Sequence, residues 1–211
     1  SYVKTDKGDI PSDIVILAVG VRPNINLAKE AGIEIGKKGG IKVDNRMQTS
    51  DPDIFAAGDC VESWNMINGK PAYVPLGSTA NKQGRVAAVN VCGGNEYFPG
   101  ILGTAVCKVF DFGVARTGLG ERQAREAGYD VVTCMAPAPD KAHYYPTAKL
   151  LLLKLIADRK SRKLLGIQAT GPGDSAKRID VAAAALTMGM TVDQVANLDL
   201  SYAPPFSAAM D

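Results

Sequence analysis

Charge of one sign is missing from this sequence of 211 residues. Its 24 lysines and arginines and 22 aspartates and glutamates leave a formal net charge of +2, and the basic residues are scattered along the chain. Such a balance gives no electrostatic footprint for nucleic acid or for an anionic membrane surface. Long apolar runs are missing as well, since none approaches the roughly 20 residues a helix needs to span a bilayer. The sequence therefore predicts a soluble chain with neither nucleic acid nor a membrane among its partners. Cysteine and histidine are scarce: Cys60, Cys92, Cys107 and Cys134 form no C-x-x-C pair, and His143 is the single histidine. These residues assemble no zinc site. The irregular cysteine spacing reads as reduced thiols in a cytoplasmic protein and not as a disulfide framework.

A phosphate-binding glycine loop is also missing. "GLGERQ" and "GPGDSA" begin as G-x-G but lack the third glycine, and neither follows a buried strand into a crossover helix, as the dinucleotide fingerprint requires. There is no internal repeat or low-complexity tract. The first residue is Ser1, and "SAAMD" closes the text just after a proline-rich turn. We expect from this a portion of a longer protein.

What is there is an ordinary globular composition, 46% hydrophobic and 22% charged, enough for one or two domains. Residues 14–19 form an apolar run of the kind expected of a strand buried on both faces, ended by Gly20 and Pro23. A short helix closed by Gly32 should follow, then a hairpin-like alternation over 39–50 and a further strand over 53–57. A helix is predicted after Pro75, with Ala80, Gly84, Ala87, Ala88 and Val91 on one close-approach face and Gly93 and Gly94 as its stop.

The character changes near 98–101, around Pro99 and Gly100. "TAVCKVFDFGVARTGL" predicts strands, "GERQAREAG" a short helix capped by Gly128, and "YDVVTCM" another strand. The runs "KLLLLKLIAD" and "KLLGIQATG" read as an antiparallel hairpin around "RKSR". A helix then begins at Asp174 or Ser175, carries Ile179, Ala182, Ala183, Leu186 and Met190 as its apolar stripe, and stops at Gly189. Thr191 and Gln194 stand at capping-box spacing. The fold class is thus an α/β first part followed by an α+β unit with an antiparallel sheet.

The chemistry is concentrated at "TSDPDIFAAGDC", residues 49–60. A strand that ends on Gly58 and Asp59 lets backbone approach closely and offers a carboxylate to ligand hydroxyls, as a polyol would present them. The alternative, a plain turn in which Asp59 caps the next segment, stays open on local chemistry. Cys60 beside a carboxylate gains nothing towards a thiolate and reads as structural.

The order "ILAVGVRPN", "GGIKVDNRMQTSDPDIFAAGDC" and "PLGSTANKQGRVAA" resembles the FAD-dependent pyridine nucleotide-disulfide oxidoreductases. The downstream motifs "KVFDFGVARTGLGE", "YYP", "GIQATG", "AKRIDVAAAA" and "DLSYAPPFS" resemble the dimerisation domain of their single-cysteine branch, which holds NADH oxidases, NADH peroxidases and coenzyme A-disulfide reductases. The likeness covers nearly the whole chain. It implies the end of an NAD(P)-binding domain over 1–24, the second segment of a FAD-binding domain over 25–99, and a dimerisation domain over 100–211. The α/β part is then an incomplete FAD/NAD(P)-binding portion.

Residue by residue, the resemblance implies that Asp59 accepts from a ribitol hydroxyl of FAD and that Gly58 packs against the flavin's chain. Leu76, Gly77, Ser78, Thr79 and Ala80 would place peptide groups along the flavin's pyrimidine edge at a helix start. Residues 20–24 would link the two dinucleotide-binding parts. A phenol can donate to a developing thiolate or peroxide anion without carrying charge at neutral pH. Tyr144 and Tyr202 match tyrosines that look across the dimer towards the partner's flavin and active cysteine, and Phe206 would wall the same site. For both tyrosines the reading as buried residues with a satisfied hydroxyl also stands. Lys177 and Arg178 are candidates for the phosphates of coenzyme A, with a solvated helix face or an interface salt bridge as the equal alternative. Tyr145 reads as packing and His143 as an exposed loop residue.

Two departures bear on function. No cysteine stands in the family's redox motif, and both glycine fingerprints are absent, so the chain is expected to be inactive alone. Gly120 stands where the family pattern often has a threonine cap, a departure on which nothing catalytic hangs. The implied activity is a FAD-dependent NAD(P)H oxidoreductase, a homodimer passing electrons through an active cysteine outside this chain to coenzyme A disulfide or a persulfide. Oxygen or peroxide as acceptor is the near alternative. A non-catalytic dimerisation fragment is the alternative of another class.

Overall fold

A computed structural model describes residues 1–209. The chain opens with β1 (Tyr2–Thr5) and β2 (Gly8–Pro11), an antiparallel hairpin closed by Gly8 at φ 118°. The strand predicted over 14–19 is not formed. Ile14 and Val19 are 82% and 90% exposed, and no described strand lies beside the run. A strand exists only where its N–H and C=O groups find partners, so apolar composition alone does not make one.

Next come α1 (Asn26–Glu30), followed by Gly32 at φ 75°, and a small sheet of β3 (Ile41–Lys42), β4 (Val61–Trp64) and β5 (Pro71–Ala72). β3 runs parallel to β4, and β5 antiparallel to it. The hairpin expected over 39–50 reduces to a turn. The Asp44 carboxylate accepts from the backbone N–H of Arg46 at 2.8 Å and of Gln48 at 2.9 Å. The strand expected over 53–57 reduces to a bridge between Gln48 and Phe55. Asp51 accepts from the Asp53 N–H at 2.9 Å, and this local turn claims the backbone that a longer strand would need.

Helix α2 (Gly77–Val91) forms after Pro75 as predicted, but its inner face differs from the predicted one. Gly84, Ala88 and Val91 face solvent, while Gln83 and Asn90 are buried. Buried amides are tolerated only when bonded, and Asn90 is fully used: its NH2 donates to the carbonyls of Arg46 and Glu96, and its Oδ1 accepts from the Glu96 N–H. Val86 and Ala87 supply the apolar contacts, against Met47, Phe98 and Ile101.

The second half is a five-stranded antiparallel sheet in the order β6-β7-β10-β9-β8. Its strands are β6 (Ala105–Val109), β7 (Phe112–Gly118), β8 (Val131–Pro139), β9 (Leu150–Asp158) and β10 (Leu164–Gly171). Three helices accompany it: α3 (Glu121–Glu126), α4 (Ser175–Thr187) and α5 (Val192–Ala196). The caps fall where the sequence put them. Asp174 accepts from the N–H groups of Ala176 and Lys177, and Thr191 and Gln194 complete a capping box. Ile179, Ala182 and Leu186 of α4 pack on Ala115, Ile167 and Ala169 of the sheet. Burying each of the two large side chains contributes about 1.5–3 kcal/mol.

α4 covers one sheet face. The opposite face is open and apolar, with Val106, Val114, Met135 and Leu152 exposed around a hollow of about 600 Å³ that Leu76 also lines. No helix among the described residues is long and apolar enough to cross a membrane.

Candidate functional site

Two groups of the expected residues come together separately. The first is built on α2. Its N-terminal position is held by Leu76, which has no capping side chain, and its first turn carries no acid. The leading N–H groups of a helix have no intrahelical acceptor, so a 15-residue helix here presents Gly77, Ser78 and Thr79 as open donors at its positive end. The loop of Gly58 lies directly on this turn. Gly58 sits at φ 87°, its N–H donates to the buried Gln83 side chain at 2.9 Å, and a Cβ added to it would stand 3.5 Å from the Cβ of Ala80. The sequence signals Gln83 only weakly, as a glutamine seven residues before an asparagine on one helix face.

Asp59 is exposed, and no hydrogen-bond donor among the described residues meets its carboxylate. Its main-chain carbonyl accepts from the Tyr73 hydroxyl at 2.9 Å. A hollow of about 320 Å³ lies beside it, lined by Val21, Arg22, Pro23, Asn24, Cys60, Tyr73 and Pro75. Burial, with the Asp59 carboxylate adding to it, pushes the Cys60 thiol above its ordinary range. The same two influences raise the Tyr73 phenol. Cys60 is therefore held as a thiol, its Sγ 3.4 Å from the Ala57 carbonyl.

The second group lies on two loops of the second half. Tyr144, on the β8–β9 connection, lies within the influence of Tyr202, and the neighbouring phenol raises the Tyr144 phenol above its ordinary value. Both rings are more than half open or close to it, Tyr144 at 63% and Tyr202 at 50%. The fully buried, self-satisfied tyrosine considered above is not what the structure shows. The Tyr202 loop is closed at its base by Ser207, whose Oγ donates to the Ser201 carbonyl at 2.7 Å while its N–H reaches the Ala203 carbonyl. That turn sends Phe206 outward. The His143 ring stands edge-on to Tyr144, with centroids 5.4 Å apart.

Arg178 is placed differently from Lys177. It is buried, and its guanidinium donates to the Asp140 carbonyl at 3.1 Å. That burial overturns the solvated-face alternative for Arg178. Lys177 is half-buried beside it. No hydrogen bond among the described residues links the Asp59 group to the phenol pair.

The uncapped helix over a glycine loop and the antiparallel sheet behind one long helix define a class. Residues 104–211 match the model of the pyridine nucleotide-disulphide oxidoreductase dimerisation domain, and residues 1–84 that of the pyridine nucleotide-disulphide oxidoreductases. The chain belongs to this family, whose members are FAD-dependent NAD(P)H oxidoreductases.

Particular relatives narrow the class. The chain is 44% identical over 209 residues to a CoA-dependent NAD(P)H sulfur oxidoreductase of Pyrococcus furiosus, covering 99% of this chain and 47% of that protein. It is 34% identical over 200 residues to the coenzyme A disulfide reductase of Staphylococcus epidermidis, covering 94% and 45%. The solved structure of a NAD-dependent persulfide reductase from A. fulgidus superposes with a TM-score of 0.93 at 49% identity, covering all of this chain and 41% of that one. The chain thus spans about half the length of the curated relatives it matches.

The residues present fit the flavin cofactor of this family. The unpartnered Asp59 carboxylate suits ribityl hydroxyls, and the open N–H groups of Gly77, Ser78 and Thr79 suit carbonyl oxygens at the end of a conjugated ring.

Proposed function

We propose that this chain forms the flavin-facing second FAD segment (25–99) and the dimerisation unit (100–211) of a NAD(P)H-dependent disulfide or persulfide reductase, with residues 1–24 closing the NAD(P)-binding part. The meeting of Tyr144 and Tyr202 carries the reading. Two phenols brought together from sequence positions 58 apart, on loops that expose both, make a neutral donor pair for a sulfur leaving group. FAD, when bound, accepts hydride from NAD(P)H and passes electrons to a cysteine that this chain does not supply.

In this reading Asp59 holds the ribityl chain, Gly58 lets it approach, and the first turn of α2 from Leu76 to Ala80 stabilises negative charge at the ring edge by its N–H groups. Tyr144 and Tyr202 hold a proton at the departing sulfur of coenzyme A disulfide or of a persulfide, on the partner subunit of a homodimer. Phe206 walls that position, and Lys177 is the cation for a coenzyme A phosphate. The names of the relatives support a coenzyme A-linked sulfur substrate. Four free thiols support the reducing cytoplasm as its location.

The test uses the intact protein. Tyr202→Phe should lower turnover with coenzyme A disulfide by at least tenfold while leaving flavin reduction by NAD(P)H unchanged. Equal loss in both half-reactions, or none in either, sinks the reading. Undiminished NADH oxidation by oxygen or peroxide, with no disulfide turnover in the parent enzyme, would install the oxidase alternative. A colourless sample of the 211-residue chain would confine the chain alone to dimerisation.

A further inference from the structure

Asp140 is 2% exposed, yet it is a carboxylate at the start of an exposed loop. Its surroundings explain the burial. One oxygen accepts from the Lys149 N–H at 2.8 Å, and the other accepts from the Asp174 N–H and the Lys141 ammonium, each at 3.1 Å. Its own N–H donates to the Lys149 carbonyl at 2.9 Å, and its carbonyl takes the Arg178 guanidinium at 3.1 Å. One residue therefore closes both ends of the loop 140–149 on each other and ties them to the start of α4.

Space is fitted to it as well. A Cβ on Gly173 would lie 2.9 Å from the Cβ of Asp140 and 3.0 Å from its Cγ, so only glycine lets the α4 entry come this close. Inside the loop, the N–H groups of Tyr145 and Ala148 bond to the carbonyls of Ala142 and Tyr145, at 2.8 and 2.9 Å. The loop is thus a set of short turns hung from one clamp, and Tyr144 is carried at its exposed crest.

We propose that Asp140, with Arg178 behind it, is a positioning residue: it fixes the loop 140–149 against the start of α4 and so holds Tyr144 in register with Tyr202. The inference rests on the role given above to the phenol pair, and Asp140 itself touches no substrate. A carboxylate is required because two backbone N–H groups and an ammonium converge on its two oxygens. An amide of the same shape offers one acceptor and turns a second donor against a donor.

The experiment compares Asp140→Asn, Tyr144→Phe and their combination in the intact flavoprotein. Amide hydrogen exchange over 142–148 should quicken tenfold or more in Asp140→Asn, with exchange in the rest of the sheet unchanged. Turnover with coenzyme A disulfide should fall about tenfold in Asp140→Asn but should fall no further when that change is added to Tyr144→Phe. Flavin reduction by NAD(P)H should be the same in all three. Unaltered exchange over 142–148 overturns the proposal, as does multiplication of the two losses. If Tyr144→Phe is itself harmless, the role of the phenol pair falls, while the exchange data still decide whether Asp140 clamps the loop. Should Asp140→Asn fail to accumulate, Arg178→Met removes the donor to the Asp140 carbonyl and is read by the same exchange and turnover measurements.

Discussion

The N–H of Gly58 donates to the side-chain carbonyl of Gln83 at 2.9 Å, fastening the loop that presents Asp59 to the helix that presents the open N–H groups. Gln83 is 1% exposed, so solvent is poorly placed to replace this bond. Gln83→Leu should therefore destabilise the protein by about 1–3 kcal/mol, the usual result of orphaning a donor. Flavin retention should fall with it. Calorimetry and the flavin-to-protein ratio of the intact protein check both, and a normal ratio with normal stability would dismiss the bond as incidental.

Gly58 lies at φ 87°, where an L side chain is strained, yet its nearest neighbour would be at ordinary contact distance, 3.5 Å. Backbone strain alone sets the cost. Gly58→Ala should lose about 1–2 kcal/mol, and Gly58→Asn less, because asparagine visits this region more readily. Denaturant midpoints at unchanged slope measure it; equal losses for the two substitutions would point to a steric cause instead.

The Asp59 carboxylate offers charge-assisted acceptance to hydroxyls, worth about 1.5–3 kcal/mol. Asp59→Ala should weaken FAD binding by roughly ten- to a hundredfold, and Asp59→Asn by less. Equilibrium dialysis of the deflavinated intact protein gives the ratio. An Asn variant as weak as the Ala variant would mean that charge, and not acceptance, matters there.

Burial pushes the Asp140 carboxyl up, but hydrogen bonds from Lys149, Lys141 and Asp174 outweigh it and hold the group below the usual carboxylate range. An unfolded aspartate titrates near 3.9, so the unfolded chain takes up this proton first as pH falls. The stability it contributes is complete above about pH 5 and is lost on descending through the folded value, below about 3.9. Urea midpoints of the wild type should thus fall more steeply between pH 5 and 3 than those of Asp140→Asn. Parallel curves would contradict the assignment.

Arg162 stands at φ 58° in the β9–β10 turn and grips Asp193 with two hydrogen bonds, at 2.5 and 2.6 Å. Both side chains are more than half exposed, so solvent screens the pair and it contributes little. Relief of the left-handed backbone is worth about as much or more. Arg162→Gly should be neutral within about 1 kcal/mol, whereas Arg162→Val, which loses the pair and deepens the strain, should be clearly destabilised. Thermal melts of the two variants separate the effects.

Much of the second half was legible because its signals are local. Asp174 and Thr191 cap the helices they precede, and the spacing of Ile179, Ala182 and Leu186 faces α4 to the sheet. The first half was harder for the opposite reason. Residues 14–19 have strand composition but no described strand alongside, and around Phe55 local turns from Asp51 and Asp44 outcompete the ladder. On α2 an apolar stripe does not reveal Gln83 and Asn90, because which amides find partners depends on loops remote in sequence. Asp59, Tyr144 and Tyr202 were visible through family resemblance, whereas Asp140 was not, since its partners at 149, 174 and 178 assemble only in the fold.

The open sheet face has a consequence for how β7 can vary. Ala115 and Thr117 are buried, Ala115 beneath α4 and Thr117 against Thr104, while Phe112, Val114 and Arg116 are exposed. Adjacent positions on one strand thus answer to different selection. A library randomised over 112–117 should sort by parity: odd positions filtered by side-chain volume in folding assays, even positions indifferent to folding and filtered only by solubility and assembly.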